Sequence, residues 1–342
     1  MRASDTSLLR HHLAPLQPLL AREGVSELVI NRPFEIGIEM ATGWDWIKSA
    51  ELDSDWLMTL ARSAAAVTRQ DIADTSPICS TILPGGERVQ IVVPPVVPAE
   101  TVSLTIRKPS TVDKSLEDYA ASGLFEATRI ACEALPALDE ELLSLRDKGL
   151  WLDFFALAVE GRKNILVSGA TGSGKTSFSK SLIQHIPAHE RILTIEDTRE
   201  LTVPHRNVVH MTYAKDGQGL AKVGAKALLE SALRMRPDRI LLQELRDGTA
   251  FFYLRNVNSG HPGSITTVHA NSAAAAFEQL TLLVKESEGG RDLARDDIRG
   301  MLHTLVDIVV QLRRFEPRDG EPARYRMTEV YYDPVRSSRA QG

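Results

Sequence analysis

The sequence predicts two domains of different class: a larger α/β domain on a parallel sheet in the C-terminal half, and a smaller α+β domain before it. Three observations carry this. The chain has 342 residues, more than one core of ordinary size needs. From Glu27 to about Pro109, short alternating runs are separated by Pro- and Gly-rich turns. After Glu160, short apolar runs alternate with helical patterns, as strands and crossover helices do.

Residues 1–22 carry Leu8, Leu9, Leu13, Leu16, Leu19 and Leu20 on one side of a helix, but Pro15 and Pro18 argue against a single regular one. Packing on its own domain or on a neighbouring subunit is the favoured role for this face, and a membrane surface is the alternative. Glu27–Asn31 and Glu35–Glu39 alternate around a turn at Asn31-Arg-Pro33. Asp53 is a good cap, and Leu57, Leu60, Ala61 and Ala64 recur at helical spacing, so a helix is expected over Asp53–Arg69. Ile78–Leu83, Arg88–Val93 and Thr101–Arg107 read as three further strands. The N-terminal domain is placed at 1–110, a charged helical linker at 111–150 and the second domain at 151–342.

In the second domain, Asn164–Ser168 reads as a buried strand and Thr176–His185 as a helix. Arg191–Glu196, Arg239–Glu244 and Ser264–His269 are strands, and Val223–Met235 is a helix that Pro237 ends. Asp307–Leu312 and Arg326–Tyr332 close the domain as late strands, and Ala273–Ala276 opens another helix.

Composition excludes several classes. A net charge of −5 gives no basic field for nucleic acid. The two cysteines, Cys79 and Cys132, are too few and too far apart for a disulfide framework or a cysteine zinc site, which fits a reducing cytosol. No apolar run reaches the ~18 residues of a membrane span, and the N-terminus lacks the apolar core of a signal peptide.

The chemistry-bearing residues cluster in four places. Gly169-Ala170-Thr171-Gly172-Ser173-Gly174-Lys175-Thr176, followed by Ser177, fits the pattern G-x-x-x-x-G-K-[ST] between a strand and a helix. Its glycines let backbone N–H groups turn inward around phosphate oxygens. Lys175 brings a point charge to the outer phosphates of ATP, and the Thr176 hydroxyl suits Mg2+. The strand Ile240–Leu242 runs into Gln243-Glu244, placing Glu244 to reach the metal through water. Glu196, Asp197 and Glu200 stand at the end of the preceding strand, where one carboxylate could orient and deprotonate a water. Gly260–Ala270 holds His261, Thr266, Thr267 and His269. His269 reads as a sensor of the γ-phosphate, against a weaker reading of the two histidines as a metal pair.

These four elements, in this order, resemble the secretion ATPase superfamily that drives type II and type IV secretion and type IV pili. Gly169–Thr176 resembles its Walker A box, Ile195–Leu201 its Asp box, Met235–Arg246 its Walker B box and Gly260–Ala270 its His box. Asn31-Arg-Pro33, Gly85–Gln90 and Ser103–Ser110 are similar to the N-terminal domain of the type IV secretion ATPases. The resemblance implies a RecA-like ATPase domain and a hexameric ring. It also implies inner-membrane secretion partners, including other secretion ATPases, and peripheral attachment at the cytoplasmic face of the inner membrane. It makes Glu200 the catalytic base, supported by Glu196 and Asp197, and Glu244 the Walker B acid. Arg88 and Arg107 would reach the phosphates when the N-terminal domain closes, with Arg199, Arg234 and Arg246 as lesser finger candidates. A pilus-retraction motor is the runner-up, and a nucleic-acid-dependent ATPase is more distant. Two positions depart from the family pattern: Gln243 and Asp247 stand where Gly is usual.

Overall fold

The computed structural model describes residues 3–109, 114–128, 135–214, 219–317 and 322–335. The chain divides into two compact units, Met1–Ala134 and Leu135–Gly342.

The first unit contains α1 (Ala3–Leu13), α2 (Gln17–Ala21), β1 (Glu27–Ile30), β2 (Glu35–Met40), β3 (Gly43–Lys48), α3 (Ser54–Val67), β4 (Ile78–Ile82), β5 (Arg88–Val92), β6 (Ser103–Arg107) and α4 (Leu116–Ala121). Its strands form one antiparallel sheet, ordered β3-β2-β1-β6-β5-β4. The N-terminal leucines break into two helices around Pro15. Pro18 sits in the first turn of α2, where a missing N–H costs nothing. Leu9, Leu13, Leu16 and Leu20 are buried in the core shared by α3 and the sheet, so this face serves its own unit, and Leu8 is left exposed. The Asp53 carboxylate accepts from the Trp56 N–H at 2.8 Å and caps α3.

The second unit runs α5 (Ala137–Asp147), α6 (Trp151–Glu160), β7 (Ile165–Gly169), α7 (Lys175–Ile183), β8 (Ile192–Glu196), β9 (Val208–Thr212), α8 (Ala225–Ala232), β10 (Arg239–Leu242), α9 (Thr249–Asn258), β11 (Ile265–Val268), α10 (Ala273–Glu286), α11 (Arg295–Leu305), β12 (Ile308–Phe315) and β13 (Arg324–Tyr332). Strands β10-β8-β9 are parallel, as are β11-β7-β12, with β13 antiparallel at the edge. A parallel bridge between Glu244 and Thr267 joins the two groups. The Leu245 N–H donates to the Thr267 carbonyl there at 2.8 Å. The result is a RecA-like α/β sheet in which β11 stands between β7 and β10. The strands β7, β8, β10 and β11 are wholly buried, and β11 is so despite its two threonines, Thr266 and Thr267.

The division between the two units falls inside the linker expected at 111–150. Residues 111–113 and 129–134, with Cys132, lie outside the described residues. Helix α5 belongs to the second unit: Leu142 is in its core, and buried Asp139 accepts from the Tyr332 hydroxyl at 2.6 Å and pairs with Lys163.

Candidate nucleotide site

The chemistry-bearing loops of the second unit leave the carboxyl ends of β7, β8, β10 and β11, where open parallel sheets hold ligands. The loop after β7 is shaped by close approach. A Cβ on Gly169 would stand 2.3 Å from Ser173 Oγ and 2.7 Å from the Leu312 carbonyl oxygen. Gly174, at φ 92°, precedes α7 with no side-chain cap, so the first-turn N–H groups are free for an anion. Ala170 and Thr171 form the exposed crest of the loop. Gly172, Ser173, Gly174, Lys175, Thr176 and Ser177 line a cleft of about 830 Å³.

Lys175 is buried and donates to the carbonyls of Gly169 (2.8 Å) and Ala170 (3.1 Å). Its Nζ is 3.3 Å from His269 Nδ1. Burial pushes its pKa down, and the Glu244 carboxylate opposes that shift. His269 Nε2 lies 2.7 Å from Glu244 Oε1, a charge-range approach without hydrogen-bond direction. The other oxygen of Glu244 accepts from Arg246, whose Nε is at 2.6 Å. Arg246 Nη1 reaches Asp197 Oδ2 at 3.1 Å. A single polar chain, Lys175–His269–Glu244–Arg246–Asp197, therefore joins all four strand ends.

The Glu244 backbone is fixed from both sides. The Gln243 N–H donates to Ile195 O at 3.3 Å, and Thr267 Oγ1 donates to Gln243 O at 3.1 Å. Gln243 is thus held through its main chain, and its side chain leaves the Glu244–Arg246 pairing intact. Asp247 takes φ 47°, the left-handed conformation that suits the family's usual glycine and that Asp tolerates better than most residues.

The acidic residues after β8 separate in role. Glu196 is buried, and one of its oxygens accepts from the N–H groups of Glu200 (2.7 Å) and Leu201 (2.8 Å). The other accepts from Thr194 Oγ1 at 3.0 Å. One oxygen is thus committed to the loop that presents Glu200, whose side chain is exposed, and the other to the strand itself. His261 and His269 flank β11 at opposite ends. His261 is depressed by burial and faces Pro237 and Asp238 at the amino edge, so the two cannot share one metal ion.

In the first unit, Arg88 and Arg107 are direct cross-strand partners on β5 and β6, both exposed. Arg107 Nε lies 3.5 Å from Glu27.

Three residues beside the P-loop site escape the sequence motifs. Tyr213 lies with Glu196, Asp197, Glu244 and Arg246 around a small cavity, its hydroxyl pKa raised by burial and by Asp197. Tyr325 and Arg326 line the large cleft. Only the position of β13 beside the loop reveals them.

Fold and site together define a P-loop ATPase with a RecA-like core. Residues 11–317 match the family Type II/IV secretion system protein. The chain is 52% identical over 345 residues to the type IV secretion system protein VirB11 of Bartonella henselae, covering 96% of this chain and 94% of the relative. It is 43% identical over 327 residues to that of Brucella suis, covering 94% and 90%. The crystal structure of the VirB11 ATPase from the Brucella suis type IV secretion system, in complex with sulphate, superposes with a TM-score of 0.90 at 41% identity, covering 97% of this chain and 99% of that one. The chain belongs to the type II/IV secretion system protein family and is an ATP-hydrolysing type IV secretion ATPase. These relatives favour type IV secretion over the retraction-motor alternative. Among the described residues no helix is long and apolar enough to cross a membrane.

Proposed function

We propose that this chain couples ATP hydrolysis at Gly169–Ser177 to motion between its two units within a homo-hexameric ring, driving export of protein or DNA–protein substrates. The observation that carries the reading is the polar chain from Lys175 to Asp197 across four strand ends. Such a layout couples the phosphate loop to every other acidic element of the site.

In this reading Lys175 exchanges its carbonyl partners for the outer phosphates, and the first-turn N–H groups of α7 hold the remaining oxygens. Thr176, with Glu244 acting through water, suits Mg2+, which when bound neutralises charge on the β- and γ-phosphates. The fit rests on the cradle that a Cβ at Gly169 would fill and on the donor set, a hydroxyl beside the phosphate loop and a carboxylate at the end of β10. Glu200 orients water and accepts its proton as the oxygen attacks the γ-phosphorus and the bond to ADP breaks. Glu196 holds the Glu200 backbone. His269 senses the γ-phosphate through its placement between Lys175 and Glu244.

Arg88 and Arg107 supply charge from the first unit. Like charges set opposite each other on neighbouring strands repel, and a polyanion between them removes that penalty. Arginine's planar fork suits such a partner. The ring engages other inner-membrane secretion components, including further secretion ATPases, as a cytoplasmic, peripherally attached machine, and direct nucleic-acid binding is not part of the reading.

The test is Lys175→Ala, with purified-chain ATPase activity and export in cells followed side by side, and sedimentation with and without ATP. Hydrolysis and export are expected to disappear together. Export that persists without hydrolysis would sink the proposal.

A further inference from the structure

The cleft beside the phosphate loop has a second wall that no nucleotide motif predicts. It is made by Leu312 on β12 and by Tyr325, Arg326 and Met327 on β13, with Phe178 of α7 beside them. The strands place a cross-strand pair, Arg314 and Tyr325, directly beside the loop. A Cβ on Gly174 would lie 3.4 Å from Tyr325 Cδ1, and one on Gly172 would lie 3.9 Å from Arg314 Nη1. Both are ordinary van der Waals separations, so this wall lies directly against the loop. Tyr325 is 53% exposed, a large aromatic residue at the rim of a cleft of about 830 Å³.

We propose that Tyr325 is the base-stacking residue of the nucleotide cleft, and that β12–β13 form its apolar wall. This deepens the ATP-site reading above and rests on it. The loop's N–H groups can hold only the phosphate end of a nucleoside triphosphate. The sugar and base must leave along the cleft, and the wall they meet is apolar at Leu312, Met327 and Phe178 and aromatic at Tyr325. Stacking on an aromatic face tolerates any base and contributes affinity through its π-face. The neighbouring Arg314 guanidinium adds positive charge beside Gly172, on the phosphate side.

The experiment compares ATP with inorganic tripolyphosphate, which shares the phosphates and lacks the base. Both are titrated against the full chain, with dissociation constants from calorimetry. Tyr325→Ala is expected to weaken ATP about tenfold or more and to leave tripolyphosphate within twofold, with Tyr325→Phe restoring ATP affinity. Tyr325→Trp gives an independent readout: its added fluorescence should be quenched by ATP and not by tripolyphosphate. Equal weakening of both ligands, or ATP affinity unchanged in Tyr325→Ala, would overturn the assignment. Lys175→Ala should lose both ligands, showing that the probes report on the loop. A wild-type chain that binds neither removes the nucleotide site itself, and this inference with it.

Discussion

Glu196 sits among the acidic residues expected to work on water, yet its surroundings assign it another task. One carboxylate oxygen accepts the Glu200 and Leu201 amides at 2.7 and 2.8 Å, and Leu201 is 5% exposed. A hydrogen bond to a charged partner contributes about 1.5–3 kcal/mol net, and a buried amide left unpaired costs about 1–3 kcal/mol. The Glu200 amide can regain water because its residue is exposed, so Glu196→Ala should destabilise the chain by about 3 kcal/mol, chiefly through Leu201. Glu196→Gln keeps a carbonyl acceptor of the same shape and should lose only about 1–2 kcal/mol, because neutral acceptors are weaker. Urea unfolding gives the totals, and amide hydrogen exchange at Leu201 locates the loss. ATPase turnover should fall in Glu196→Ala in step with Leu201 protection and survive in Glu196→Gln. A Glu196→Gln enzyme as inactive as Lys175→Ala, with Leu201 protection unchanged, would refute the reasoning and make Glu196 a chemical participant.

Three further outcomes follow from the same geometry. Arg239 is fully buried and bonds both oxygens of Glu190 at 2.6 and 3.0 Å; Arg239→Ala leaves that carboxylate to half-exposed Arg162 at 3.4 Å and should cost about 3–5 kcal/mol in urea unfolding, with Glu190→Gln in the same background recovering part of it. Gly169→Ala should cost roughly 1–3 kcal/mol by overpacking against the Leu312 carbonyl and abolish measurable ATP binding by calorimetry, since backbone cannot give way as a side-chain tip can. His210 is depressed by burial to about 4 from an ordinary 6.5. The unfolded chain therefore binds the extra proton first, and stability should fall as pH drops from about 6.5 to 4, by up to ~3 kcal/mol; His210→Gln should flatten that limb of a urea-midpoint profile against pH.

Much of this was legible in the sequence because it is carried by local signals. The buried strands β7, β8 and β10 read as short, mainly apolar runs, β11 is legible by its place in the strand–helix alternation, and the Asp53 cap and the phosphate loop are short patterns with their own physics. What the sequence hid is non-local. β3 alternates weakly, with Trp44 and Trp46 on a face only partly covered, and β9 is an edge strand interrupted by His210. Helix α5 looks like a linker because it is charged, and what ties it to the second unit, the burial of Leu142 and the pairing of Asp139 with Lys163 and Tyr332, rests on residues far along the chain. At the site, the acids and His269 could be found by their place after strands. The use of Glu196 as a backbone clip, the Arg246 bridge and the Tyr325 wall each require tertiary neighbours that no spacing encodes.

The position of β11 explains why one loop can inform the rest. Because β11 lies between the phosphate-loop strand β7 and the Glu244 strand β10, His269 at its end stands between Lys175 at 3.3 Å and Glu244 at 2.7 Å. Glu244 in turn is tied by Arg246 to Asp197 on the loop that begins with Glu196. Moving Lys175 off the Gly169 and Ala170 carbonyls, as phosphate binding would require, removes a neighbour of His269 and so alters the charge beside Glu244. Arg246 then has one of its two acidic partners perturbed, and the loop presenting Glu200 is the next element in the chain. The coupling needs no large displacement. Apart from Glu244–Arg246, which lies within the segment after β10, each link is a contact between groups at neighbouring strand ends, so the order of strands in the sheet sets which of these residues meet.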